Sequence, residues 1–179
     1  VSVSQASVTK AKVRTATPDG FSLVIEMASP MAADATFQAF VNDFAKWYDA
    51  DHSYSGKAEN LSLDLERHCM FETLPKGGFV RHMEIVYYHP EQRVIRLLGG
   101  LGPLQEMGVT GSFTFAVTPR ENGTSAMTLS YRVTGAQDQG LDNLAPVVDR
   151  VLQGQMRRLE KYCVLQLKQL KQPSKVSSD

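Results

Sequence analysis

The segment ERHCMFETLPKGGFVRHMEIVYY, residues 66–88, brings a carboxylate and an imidazole to the two sides of one turn. If its two halves pair across PKGG (75–78), Glu72 lies opposite either Arg81 or His82, depending on register. Opposite Arg81 it forms a surface ion pair of little worth. Opposite His82 it forms a carboxylate–imidazole pair able to orient a histidine for acid–base work. The period-2 pattern alone leaves both registers open. A second cluster is WYDADHSYSG, 47–56, which holds the only tryptophan, two of six tyrosines and one of four histidines. His52, His82 and Glu72 are of the right types for an open zinc site. Their spacing matches no metal motif, and His68 and His89 are equally eligible, so no metal and no cofactor is expected.

Other chemistries find less support. The glycine-rich loop LLGGLGPLQEMG, 97–108, lacks the Lys-Ser/Thr ending of a phosphate loop. It reads either as a cavity rim, with Leu101, Leu104 and Met107 meeting an apolar ligand, or as a tight turn with buried leucines. No G-x-S-x-G is present, and Cys69 lies in a strand pattern rather than at a helix N-terminus. Cys69 and Cys163 fit no disulfide framework; two buried thiols or one strand-to-helix disulfide remain the choices. Asn60-Leu61-Ser62 and Asn122-Gly123-Thr124 match the glycosylation sequon, which has meaning only in a eukaryotic secretory chain.

Lys+Arg and Asp+Glu both number 19, so the net charge is zero and a general nucleic-acid or anionic-membrane surface is not expected. A small neutral or amphipathic molecule is the expected partner, with a protein partner also open. No apolar run reaches the roughly 18 residues of a membrane span. The chain begins on Val1 without a secretory signal, which fits a processed or trimmed chain. A cytoplasmic place, or an exported one after loss of a signal, are both open.

The elements that must position these residues follow from periodicity. VTKAKVRTATPDGFSLVIEMASP reads as a hairpin turning on Asp19-Gly20. Ser29-Pro30 reads as a helix start, with Ser29 as N-cap. Phe37, Phe40, Val41 and Phe44 follow at helical spacing, and Asn42-Asp43 breaks the segment into two short helices. Six strand patterns then appear at 60–65, 68–74, 79–88, 93–98, 106–118 and 124–135. Their turn-like links imply antiparallel neighbours. A stripe of Val148, Val151, Leu152, Gln155, Leu159, Tyr162 and Gln166, extended by Leu144 and Leu170, predicts one long helix. Pro146 places its start near Asn143, and 144–170 would span about 40 Å. The 179 residues are expected to form one domain, with residues 1–20 adding an extra N-terminal strand and 171–179 a frayed tail.

This order resembles the START/birch-pollen-allergen (SRPBCC) superfamily over residues 21–165. The matching stretches are ASPMAADATFQAF, the tryptophan segment, GGFVRHMEIVYYHPEQRVIRLLGG, NGTSAMTLSYRVTG and VDRVLQGQMRRLEKY. The last three look most like the branch of polyketide cyclases and activators of a heat-shock chaperone's ATPase. The resemblance implies an α+β helix-grip fold: a curved antiparallel sheet wrapped around a long C-terminal helix, two short helices after the first core strand, and an internal cavity. It places 47–56 at the cavity mouth, with Trp47 and Tyr48 as wall or core cap and His52 and Tyr54 as polar contacts. Three functions follow. The first is non-catalytic binding of a small hydrophobic or amphipathic molecule, to which seven methionines would lend an adaptable lining. The second is a cyclase or aromatase, with His82 or His52 as base, Glu72 as partner, and Tyr131 or Arg132 holding a substrate carbonyl. The third is a co-chaperone-like surface for a protein partner.

Overall fold

The computed structural model describes residues 10–170; the tail expected to fray, 171–179, lies outside them. Eight strands form one antiparallel sheet: β1 (Lys10–Thr17), β2 (Gly20–Ser29), β3 (Leu61–Asp64), β4 (Cys69–Thr73), β5 (Phe79–His89), β6 (Val94–Leu98), β7 (Thr110–Pro119) and β8 (Ser125–Thr134). Their order is β1-β2-β8-β7-β6-β5-β4-β3, so β3 to β8 run as a meander and β2 closes against β8. Alternation decides which face is buried. Phe21, Leu23, Ile25 and Met27 of β2 and Met127, Leu129, Tyr131 and Val133 of β8 all point inward, while their neighbours in sequence do not. Register shifts between β4 and β5 and between β5 and β6 add a bulge to each pairing. Bulges bend a strand and increase its twist, which suits the curved sheet of a helix-grip fold.

Two short helices, α1 (Ala33–Asn42) and α2 (Phe44–Trp47), follow β2 and meet at Asp43. The helix starts later than the Ser29-Pro30 signal indicates. Ser29 ends β2 instead, and its hydroxyl bonds Thr36 Oγ1 at 2.7 Å, in a buried network that continues to Ser125 at 3.1 Å. Tertiary hydroxyl pairing has replaced the cap, which no side chain of Ala32 supplies. Phe40 stacks on Phe115 at 3.8 Å between centroids and packs on Trp47 at 5.3 Å, which docks α1 and α2 onto the sheet.

A four-residue helix, α3 (Pro103–Glu106), lies within the 97–108 loop, and β7 begins at Thr110 rather than at 106. The 97–108 loop is a tight one. A Cβ on Gly100 would stand 2.7 Å from the Gln105 backbone nitrogen, so only glycine lets the loop pack on α3. The last helix, α4 (Leu141–Leu170), begins upstream of the expected Asn143, with Pro146 in its second turn. Its start is fixed by tertiary contacts: Leu141 N–H donates to Pro18 O at 2.9 Å, and Leu141 and Ala145 are fully buried. The buried line of α4 is Leu141, Ala145, Leu152, Gln155, Met156, Leu159 and Cys163. It is therefore rotated slightly from the predicted stripe, whose Val148, Val151, Tyr162 and Gln166 are only partly covered. Cys69 on β4 and Cys163 on α4 are free and buried, and burial pushes the Cys163 thiol up.

Candidate functional site

The β4–β5 hairpin takes neither expected register. Glu72 pairs with Val80, Phe71 with Arg81 and Met70 with Met83, which leaves His82 as the extra residue of the bulge. The bulge turns His82 and Met83 inward together, although they are adjacent in sequence; they are 3% exposed each. Glu72 is fully buried on the same side, and His82 Nε2 lies 2.8 Å from its Oε2. A carboxylate–imidazole contact therefore exists, but as a diagonal pair across a bulge. Glu72 also accepts from the backbone N–H of Ser55 (2.6 Å, Oε1) and of Tyr54 (3.2 Å, Oε2). Burial pushes its carboxyl up, but the Ser55 hydroxyl and amide, His82 and the Tyr54 amide together outweigh it and hold Glu72 below its ordinary range.

Those amides belong to the aromatic segment that follows α2. Residues 47–55 form a strap, with a single 3-10 turn at Ala50–His52 that Asp49 caps by accepting from Asp51 N–H. At one end the strap is clasped by Glu72. At the other it is tied to α4: Asp49 N–H donates to Gln155 Oε1 at 3.0 Å, and Arg158 Nε donates to Trp47 O at 3.0 Å. Arg158 also stands 3.9 Å from the Asp49 carboxylate. Trp47 is buried, and its Nε1–H donates to Ala39 O. Burial first, then the nearby charges of Glu72 and Asp49, raise Tyr48 far above the ordinary phenol range, so its hydroxyl stays neutral.

Beneath the strap lies a cavity of about 30 Å³ between the sheet and α4. Phe40, Phe44, Trp47 and Tyr48 form its wall under the strap. Met70, Met83, Leu97 and Phe113 line it from the strands, and Leu152, Gln155 and Met156 from α4. Apart from the Tyr48 hydroxyl and the Trp47 indole N–H, whose hydrogen bond Ala39 O accepts, Gln155 is the polar side chain in this lining. It is 4% exposed; its Oε1 is fixed by the strap, and its Nε2 is buried with no hydrogen-bond partner among the described residues.

The residues singled out by sequence separate into three groups. Trp47, Tyr48 and Leu101 line the cavity. His82 and Tyr54 stand beside the strap's clasp, with their rings 5.7 Å apart and Tyr54 55% exposed. His52 is exposed, Leu104 is packed in the core, and Met107 is partly buried against it. Tyr131 is buried with its hydroxyl engaged at both ends, accepting from Leu101 N–H and donating to Gly99 O, both at 3.3 Å. A Cβ on Gly111 would stand 2.6 Å from the Tyr131 ring, so that glycine makes room for it. Burial pushes the Tyr131 phenol up to about 12. Arg132 is exposed on the other face of β8. Among the described residues no three His, Cys, Asp or Glu side chains group as metal ligands, and no helix is long and apolar enough to cross a membrane. Gln155 carried no functional reading in sequence. Its one signal was a glutamine, shared with Gln166, on a mainly apolar helix stripe.

By sequence, no family profile and no curated protein matches the chain. Solved structures do match. Ara h 8.0201 superposes with a TM-score of 0.57 at 16% identity, covering 81% of this chain and 98% of its own. Norcoclaurine synthase from Thalictrum flavum gives 0.56 at 15%, covering 88% of each chain. Major latex-like protein 151 from Panax ginseng gives 0.52 at 13%, covering 80% of this chain and 97% of its own. The likeness is one of fold: this chain has the helix-grip fold of the START/birch-pollen-allergen superfamily.

Proposed function

We propose that the chain binds a small hydrophobic or amphipathic molecule in the cavity between sheet and α4, without transforming it, and that strap 47–55 is the lid of that site. The carrying observation is the lining: a buried, almost wholly apolar surface broken by the Gln155 amide. That is the make-up of a ligand site, where apolar walls supply affinity and a few polar groups orient the guest. At about 30 Å³ the cavity is far below the roughly 300–1,000 Å³ of ordinary ligand pockets. Entry therefore requires the lid to lift and the lining to yield. Met70, Met83 and Met156, three unbranched side chains in the lining, can move with little strain.

A second reading has two points in its favour. The 2.8 Å Glu72–His82 contact is the arrangement an acid–base enzyme needs, and one fold neighbour is named as a synthase. Against it, neither side chain belongs to the cavity lining, and the Glu72 carboxylate is already used by two strap amides. Binding is therefore preferred.

Trp47 makes the test direct, because the only tryptophan lines the cavity. Titration with the neutral dye N-phenyl-1-naphthylamine should give energy transfer from Trp47 that saturates at one dye per chain and is reversed by octanol. Non-saturating transfer, or none, would sink the binding reading. Chemical conversion of a bound molecule that is lost in His82→Gln while dye binding persists would move the choice to the acid–base reading.

A further inference from the structure

We propose that Gln155 selects the ligand: the cavity takes a neutral molecule carrying one hydrogen-bond acceptor, such as a ketone, aldehyde, ester or ether oxygen, on an apolar body. This rests on the cavity reading above and narrows it to a chemical class.

The orientation of the Gln155 amide is fixed by chemistry. Asp49 N–H can only donate, so the atom 3.0 Å away is the carbonyl oxygen, and the amide nitrogen is the free end. That nitrogen is buried and unpartnered among the described residues, in a side chain 4% exposed that lines the cavity. A buried donor left unmade is costly, and a guest supplying an acceptor recovers that cost. Water is a poor candidate for the role. It needs two to four polar partners, whereas the lining offers at most two, the Gln155 amide and the Tyr48 hydroxyl, the remaining walls being aliphatic, aromatic and thioether.

Charge narrows the class. Among the described residues no Lys, Arg or His lines the cavity, and the carboxylates of Glu72 and Asp49 both act on the Tyr48 hydroxyl at its wall. A carboxylate guest would have to be buried without a counter-ion and beside two like charges. A hydrocarbon would leave Nε2 unmade. A neutral acceptor meets both conditions. The same amide also ties down the lid, since its Oε1 holds Asp49 of the strap. An acceptor bonded at Nε2 polarises the amide and strengthens the bond at Oε1, so capture of the right guest tightens the strap that covers it.

Acetophenone, ethylbenzene and benzoate share one ring and differ only in the feature at issue. Their dissociation constants should be measured by calorimetry on the wild-type chain and on Gln155→Met, which keeps an unbranched side chain of similar length. The expected result is that the acetophenone-to-ethylbenzene preference falls roughly tenfold in Gln155→Met, the worth of one buried hydrogen bond. Benzoate should bind wild type at least roughly tenfold more weakly than acetophenone. In ¹⁵N-labelled wild-type protein the Gln155 side-chain amide should shift with acetophenone and stay put with ethylbenzene. An unchanged preference ratio, or an amide unmoved while both neutral probes bind, overturns the selection by Gln155 and leaves the cavity reading standing. Failure of both neutral probes to bind saturably overturns the cavity reading itself. Should Gln155→Met not fold, the amide shift in wild type decides the matter alone.

Discussion

The strap over the cavity is held at its two ends by side chains of unequal completeness. At the β4 end, Glu72 takes three donors, from Ser55, Tyr54 and His82, on its two oxygens. At the α4 end, Gln155 holds Asp49 with its oxygen and leaves its nitrogen unpaired. Both side chains are almost wholly buried. A buried polar cluster whose members are all paired specifies one geometry and resists change. A half-paired one costs stability where it stands and keeps a directed hydrogen bond in reserve. The first anchor is thus architecture, and the second is where recognition by a guest can occur.

The difference predicts where substitution should hurt most. Glu72→Ala strands the buried His82 and takes the acceptor from two part-buried backbone amides, and the expected loss is about 3 kcal/mol of folding stability, read as a lower urea midpoint. A loss below about 1 kcal/mol would show that the clasp opens readily and is no anchor. The same carboxylate carries a pH signature. Its folded-state value lies below its ordinary 4.5, so its contribution is fully present above that pH and is lost as pH falls from 4.5 through the lowered folded value. Wild type should therefore lose more stability between neutral pH and the acid side of that window than Glu72→Gln, which has nothing to titrate there. Equal acid slopes would contradict the assignment.

How much of this contrast was legible in the sequence depends on the length scale of the forces. The meander, the Asp19-Gly20 hairpin and the long helix could be read because alternation and helical periodicity are local patterns that burial enforces. The Glu72–His82 contact could be suspected from two residue types across a turn. Its geometry could not, because a bulge at His82 depends on how β5 fits both β4 and β6. The helix starts failed for the same kind of reason. Ser29 has a better partner in Thr36 than in a helix N-terminus, and Leu141 is drawn into the helix by Pro18 across the chain. Gln155 was the least visible of all. Its position on the buried stripe could be read, but an unpaired amide nitrogen is a property of the assembled cavity and leaves no pattern in a string.

The Gln155 anchor should respond differently to substitution. Gln155→Met removes a half-satisfied amide and replaces it with a side chain suited to apolar walls, while Asp49 N–H loses its acceptor. These effects oppose each other, so the net change in stability should stay within about 1 kcal/mol in either direction. A loss as large as that of Glu72→Ala would place the two anchors in one class and remove the contrast between them. Hydrogen exchange sharpens the same point. The Asp49 amide should exchange faster in Gln155→Met, while the Tyr54 and Ser55 amides at the far end keep their protection.

The smallest effect belongs to the outer tie beside Gln155. Arg158 Nη1 is 3.9 Å from the Asp49 carboxylate, with side chains 49% and 30% exposed, so water and salt weaken the attraction. Asp49→Asn keeps an oxygen able to accept from Asp51 N–H and leaves Asp49's own backbone N–H on Gln155. It removes only the charge, and the expected change in stability is below about 0.5 kcal/mol. The Arg158 Nε bond to Trp47 O survives the substitution, which keeps the strap on α4 through a neutral acceptor. A change much larger than this, and insensitive to added salt, would mean that the α4 end is held by charge rather than by the Gln155 amide. The division between a closed clasp at β4 and a ligand-reading contact at α4 would then have to be redrawn around Asp49 and Arg158.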